Sequence, residues 1–221
     1  MIPVKNEVDK TGFPAVTFLL ILFCILIFFL RKSFDHGYAV VPLEFMHSVF
    51  NPGEELSTSL KALFTAFFMH GSFFHLLSNM WFLWIFGSAM EMQLGRIRFF
   101  SVYILSGCVS LLIQVISSPL SSIPIVGASG AIAGLMGVHL IFLPLSRILV
   151  FIPPVFLFRI PALLYLLFWF YIQYLNLLQP QTENSGVAWW AHAGGYVFGV
   201  TTALILKMAG TEGKVRKRKK M

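Results

Sequence analysis

Apolar positions along this chain fall into six long runs, separated by polar or proline-bearing segments. The runs cover residues 13–30, 72–91, 99–117, 125–143, 161–178 and 188–207. Each is close to the ~20 apolar residues that a helix needs to cross the hydrocarbon core of a bilayer. The pattern predicts an all-α membrane protein with six transmembrane helices. Its parts would be a cytoplasmic N-terminus (1–12), a six-span domain (13–207) and a basic cytoplasmic tail (208–221). The first run is long for a signal-peptide core and is followed by Arg31 and Lys32 with no clear small-residue cleavage site. It therefore reads as a span.

The segments between the runs differ in character. Residues 31–71 mix Asp35, Glu44, Glu54 and Glu55 with Phe45, Met46, Phe50, Phe64 and Phe67. That mixture suits a loop lying in the outer membrane interface. Residues 144–160 carry Pro144, the adjacent Pro153 and Pro154, Arg147 and Arg159, and read as irregular structure. Residues 179–187 are short and polar and would lie outside, over a cavity.

Composition strengthens the membrane reading: 57% of residues are hydrophobic and 11% charged, more apolar surface than a soluble domain of this size can cover. The placement of charge then sets topology. One side holds Lys5, Lys10, Arg96, Arg98, Arg147, Arg159, Lys207 and the tail cations Lys214, Arg216, Lys217, Arg218, Lys219 and Lys220. The other side holds Arg31, Lys32 and Lys61. The richer side, with both termini, would be cytoplasmic. The basic tail follows a hydrophobic helix, so it reads as an anchor to anionic headgroups; nucleic acid is not an expected partner. Cys24 and Cys108 lie in apolar runs without metal-ligand spacing and read as small buried hydrophobes.

Polar side chains inside a span are costly and usually face the bundle interior. Three clusters stand out. His70, His75 and Asn79 open the second run, with His75 and Asn79 on one helix face. Gly127-Ala128-Ser129-Gly130 opens the fourth, followed by Gly134 and Gly137. Ala191-His192-Ala193-Gly194-Gly195 opens the sixth, followed by Gly199. Taken singly, each cluster is better explained by interhelical hydrogen bonding or close helix packing. Taken together, they put their polar groups at one depth, and the glycines would let the fourth and sixth helices approach. Ser129 and His192 would then supply a nucleophile and a general base. His75, Asn79 and the Ser129 backbone N–H would hold an oxyanion. No Asp or Glu lies at that depth, so a Ser–His dyad is the economical reading. No metal or cofactor is implied, because the histidines are spread over three runs.

These residues resemble the rhomboid family of intramembrane serine proteases. The resemblance runs from about residue 60 to 206. It rests on His75-x-x-x-Asn79, Gly87-x-x-x-Glu91-x-x-x-Gly95, Gly127-x-Ser129-Gly130 and Ala191-His192-x-x-Gly195-x-x-x-Gly199, in order, with Tyr103 and Gly107 between them. It implies a six-helix rhomboid bundle whose Ser129 attacks a substrate transmembrane segment while His192 moves the proton. It also implies a structural Glu91 pairing near Arg96 or Arg98, and a fifth span, with Trp169, acting as a lateral gate. The expected partners are single-span or multi-span membrane proteins and the lipid bilayer. The short six-span form implies a prokaryotic cytoplasmic membrane.

Two positions depart from the family pattern. Lys61-Ala62 stands where many members carry Trp-Arg, so the first loop needs other support. Ala133 stands where many carry an aromatic residue that stacks on the histidine, so His192 needs another orienting group. The alternatives are a catalytically inactive rhomboid-like binder of membrane clients and a small transporter or channel. The first would be expected to lack Ser129 or His192. The second would show charges near the midplane or paired broken helices.

Overall fold

The structure is a computed structural model that describes residues 1–8, 12–30, 36–51, 53–154, 156–179 and 187–211. The tail cations, Arg31, Lys32 and most of the polar 179–187 loop lie outside the described residues. The chain is mostly helical. Its eight helices among the described residues are α1 (Ala15–Leu30), α2 (Pro42–Phe50), α3 (Glu54–Thr65), α4 (Phe73–Leu94), α5 (Arg96–Ser117), α6 (Ser129–Phe142), α7 (Ala162–Leu177) and α8 (Trp189–Met208). A π turn at Leu83–Gly87 interrupts α4.

Helices coincide with all six apolar runs. Two of them, α4 and α5, are long and apolar enough to cross a membrane by length and composition, at 22 residues each. Helices α1 and α7 have 16 residues and α6 has 14, fewer than the ~20 of a full span. Helix α6 is central, with every side chain from Gly130 to His139 buried. The outward faces are the inverse of a soluble protein's. Phe18, Leu19, Phe23 and Leu26 on α1 and Leu164, Leu167, Phe168 and Tyr171 on α7 are all exposed. Continuous apolar outer faces of this kind suit lipid as the solvent.

The all-α expectation needs correction. Three antiparallel strands, β1 (Ile2–Glu7), β2 (Arg147–Ile152) and β3 (Phe156–Pro161), form a sheet in the order β1-β2-β3. The segment expected to be irregular is thus a hairpin. Pro153 and Pro154 fall at its turn, where a missing N–H costs no ladder bond. Asn6 pairs with Ile148, which in turn pairs with Ile160, so β2 is satisfied on both edges. Ile148 and Val150 are fully buried, and the Trp81 indole donates to the Pro3 carbonyl at 2.7 Å, which ties the sheet to α4. The N-terminal strand and the 144–161 segment therefore share one end of the molecule.

The first loop also has more structure than its mixed composition suggests. It folds into α2 and α3, amphipathic helices joined across the Ser48 and Ser59 hydroxyls at 2.9 Å. An isolated bridge between Val40 and Ile125 fastens it to the segment before α6. The Thr65 hydroxyl donates to the Tyr38 carbonyl, and Phe67 packs over Gly107 and edge-on to Tyr103 at 6.0 Å. These contacts hold the loop with Lys61-Ala62 in place of the Trp-Arg pair.

Glu91 is structural, with different principal partners from those expected. Its carboxylate accepts from the Val16 and Thr17 backbone N–H groups at 3.0 and 2.8 Å and from the Thr17 hydroxyl at 2.8 Å. It caps the otherwise unsatisfied first turn of α1, where the helix dipole favours negative charge. Arg96 sits at the margin of the same carboxylate, at 3.9 Å.

Candidate active site

The site is built where α6 begins. Gly127 adopts φ +118°, a left-handed conformation that side chains rarely take. Its N–H donates to the Ala66 carbonyl, which anchors the turn. A Cβ at this position would sit 2.6 Å from the His75 ring, so glycine is needed both for the turn and for the approach of His75. Two residues later the chain enters α6 with Ser129 as its first helical residue. N–H groups of a first turn have no intrahelical acceptor and carry the positive end of the helix dipole. Ser129 thus combines a hydroxyl with a local excess of donors.

His192 comes from the first turn of α8. Its Nε2 lies 2.8 Å from Ser129 Oγ. The closeness of α6 and α8 is what permits this. A Cβ on Gly195 would collide with the Gly130 carbonyl, one on Gly199 with the Gly134 carbonyl, and one on Gly137 with the Tyr196 carbonyl. The two helices run backbone against backbone along a glycine seam, and any larger residue would wedge them apart.

Helix α7 supplies what sequence reasoning missed. Gln173, a buried residue, places Oε1 2.9 Å from His192 Nδ1. One turn earlier, the Trp169 ring lies 6.1 Å from the imidazole, tilted by 34°. Trp189 meets the imidazole edge-on at 5.8 Å. The aromatic contact expected four residues after Ser129 therefore comes from α7, and Ala133 is fully buried among the helices. A polar residue in the fifth apolar run was the available signal, since Gln173 and Trp169 are four apart on one face.

His75 and Asn79 line the same cavity of about 540 Å³ as Ser129, His192 and Trp169. Ser72 accepts from the His75 N–H and so starts α4 at this level. Asn79 Nδ2 donates one hydrogen to the His75 carbonyl at 2.9 Å, leaving its second for the cavity. His70 is buried beside His75, ring to ring at 5.2 Å, and does not line the cavity. Among the described residues, no group of three His, Cys, Asp or Glu side chains is placed to hold a metal ion.

A family model for the rhomboid domain matches residues 57–209, and the chain belongs to the rhomboid family. This is a family of integral membrane proteins that includes serine proteases. The chain is 36% identical over 135 residues to the "Putative rhomboid protease YdcA" of Bacillus subtilis, covering 61% of this chain and 65% of that protein. It is 36% identical over 102 residues to "Rhomboid protein 1, mitochondrial" of Saccharomyces cerevisiae, covering 44% of this chain and 30% of that one. It is 28% identical over 157 residues to "Presenilin-associated rhomboid-like protein, mitochondrial" of Homo sapiens, covering 68% and 38%. The chain thus spans less than two thirds of the length of each, and these relatives are mitochondrial as well as bacterial.

Proposed function

We propose that this chain is an intramembrane serine endopeptidase that cleaves transmembrane segments of other membrane proteins with a Ser129–His192 dyad. The observation that carries the reading is the 2.8 Å approach of His192 Nε2 to Ser129 Oγ in the wall of a cavity that His75 and Asn79 also line. In the proposed reaction His192 takes the Ser129 proton as the oxygen attacks the scissile carbonyl. The Ser129 N–H, His75 and Asn79 stabilise the developing oxyanion. His192 then protonates the leaving amine, and water entering the cavity hydrolyses the acyl-enzyme.

The proposal includes a six-helix bundle over 13–207, with both termini and the sheet on the cytoplasmic side of a prokaryotic cytoplasmic (inner) membrane. Its support is the concentration of Lys and Arg at that end. The length of α6 accords with it. Fourteen residues extend about 21 Å, roughly 9 Å short of the hydrocarbon core. With its C-terminal end at the cytoplasmic face, Ser129 is recessed below the outer face and reached by water through the cavity.

The test is cleavage of a single-span substrate carrying helix-destabilising residues near its outer end. Ser129→Ala and His192→Ala should each abolish cutting and labelling by a fluorophosphonate. His75→Ala or Asn79→Ala should lower turnover by about 10²–10³-fold, as loss of one oxyanion donor does. A Ser129→Ala protein that cuts as fast as the parent ends the proposal.

A further inference from the structure

We infer that Gln173 is the positioning residue of the dyad: it selects the tautomer of His192 and fixes the plane of its ring, the part a carboxylate plays in a triad. The inference rests on the protease reading above for its kinetic consequences, but its structural content is independent of that reading.

The argument starts from the amide. Gln173 Nε2 lies 3.1 Å from the Trp169 backbone carbonyl, one turn back on α7. A carbonyl only accepts, so the NH₂ end of the amide must face Trp169 and the Oε1 end must face His192. Oε1 in turn only accepts. The hydrogen bond at 2.9 Å therefore requires a proton on His192 Nδ1. A neutral imidazole with Nδ1 protonated has a bare Nε2, and that nitrogen faces Ser129 Oγ at 2.8 Å. The chain of bonds thus runs in one direction, from the Ser129 hydroxyl through the imidazole and the Gln173 amide to the Trp169 carbonyl.

Burial makes the selection strong. Gln173 is only 4% exposed, so water does not compete readily for either end of the amide. The groups that meet the imidazole are Ser129 from α6, Gln173 and Trp169 from α7, and Trp189 from its own helix, with His75 the other titratable group lining the cavity. Among the described residues no Asp or Glu bonds to the ring. A neutral amide can orient the base without placing a second charge in the membrane, where an unpaired carboxylate would be costly. Trp169 and Gln173 lie one turn apart, so a single face of α7 sets both the ring plane and the tautomer.

The experiment compares Gln173→Leu and Gln173→Glu with the parent in the full-length protein. Leu removes the acceptor at similar bulk, whereas Glu keeps an oxygen within reach of Nδ1. Gln173→Leu should lower kcat about tenfold or more, within the ~10⁴-fold ceiling for a wrong histidine tautomer, and leave KM unchanged. Gln173→Glu should recover most of that loss. ¹⁵N shifts of histidine-labelled protein should report the Nδ1–H tautomer for His192 in the parent and a mixture in Gln173→Leu. A Gln173→Leu protein with the parent's kcat and tautomer overturns the inference. If Gln173→Leu fails to fold, Gln173→Asn gives the same contrast, since its shorter side chain withdraws the acceptor. A parent that neither cuts nor labels at Ser129 sinks the protease reading instead, while the ¹⁵N shifts still decide the role of Gln173.

Discussion

Gly199→Ala probes the seam that brings Ser129 and His192, the proposed dyad, together. The added Cβ would overlap the Gly134 carbonyl oxygen and lie 2.7 Å from its carbon and 2.8 Å from its Cα. Carbon atoms rest about 3.5–4.0 Å apart, so α6 and α8 must separate by roughly 1 Å at this level. The obstacle is helix backbone, which cannot rotate away as a side-chain tip can. Overpacking of this kind costs about 1–3 kcal/mol. His192 lies seven residues before Gly199, about 10 Å along the helix, close enough to inherit most of the shift. Displacing the 2.8 Å contact between His192 and Ser129 by ~1 Å takes it beyond hydrogen-bond range. A misplacement of that size costs about 10²-fold in rate. Thermal unfolding in detergent and turnover of a single-span substrate should therefore both fall. Gly53→Ala, where a Cβ meets nothing within 4 Å, should leave turnover unchanged, with at most the small stability loss of an altered α3 N-cap. A Gly199→Ala protein with the parent's melting temperature and turnover would refute the seam as the device that sets the dyad.

Two further outcomes follow from the opposite end of the molecule. Glu91→Ala strands the Val16 and Thr17 donors in a buried helix start and should cost about 2–4 kcal/mol, read by thermal unfolding, with Glu91→Gln milder because it keeps one acceptor; a change under ~0.5 kcal/mol, the size of an ordinary surface substitution, would remove Glu91 as the cap of α1. Arg159 Nε donates to Glu7 Oε1 at 2.9 Å and holds the Glu7 carboxyl below its ordinary value of 4.5. A depressed native value stabilises the fold above the unfolded value, and the benefit is lost as pH falls through the native one. The parent and Glu7→Gln should thus differ in melting temperature at neutral pH and low salt, and converge on acidification below about pH 4.5 or in high salt. Parallel curves across that range would show the pair to be silent.

The legible part of the site was its depth. His75, Asn79, Ser129 and His192 each lie near the start of an apolar run, and burial in an apolar medium forces such groups inward. The illegible part was partnership. Gln173 is 19 residues from His192 in the chain and looks like any polar residue tolerated in a span. Only the packing of α7 on α8 turns its amide toward the ring. The resemblance assigns Trp169 to a gate, whereas its contact with the imidazole, ring centroids 6.1 Å apart, is visible only in the structure. Glu91 had an obvious local candidate in Arg96, yet backbone donors of α1, some 75 positions away, hold it more closely.

Sequence alone determined the solvent and the helices. Apolar runs of span length, glycines at four-residue spacing and polar groups at one depth follow from local hydropathy and helical period, which no partner is needed to express. β1 was hidden because the strand it pairs with, β2, begins 140 residues after β1 ends, and the β2–β3 hairpin was hidden because Pro153 and Pro154 at its turn read as irregular structure. Helix ends, the glycine seam's register and the 2.8 Å meeting of Ser129 with His192 were likewise decided by tertiary structure. These depend on which surfaces touch, and contact between distant segments is a property of the packed chain that residue type and spacing constrain without specifying.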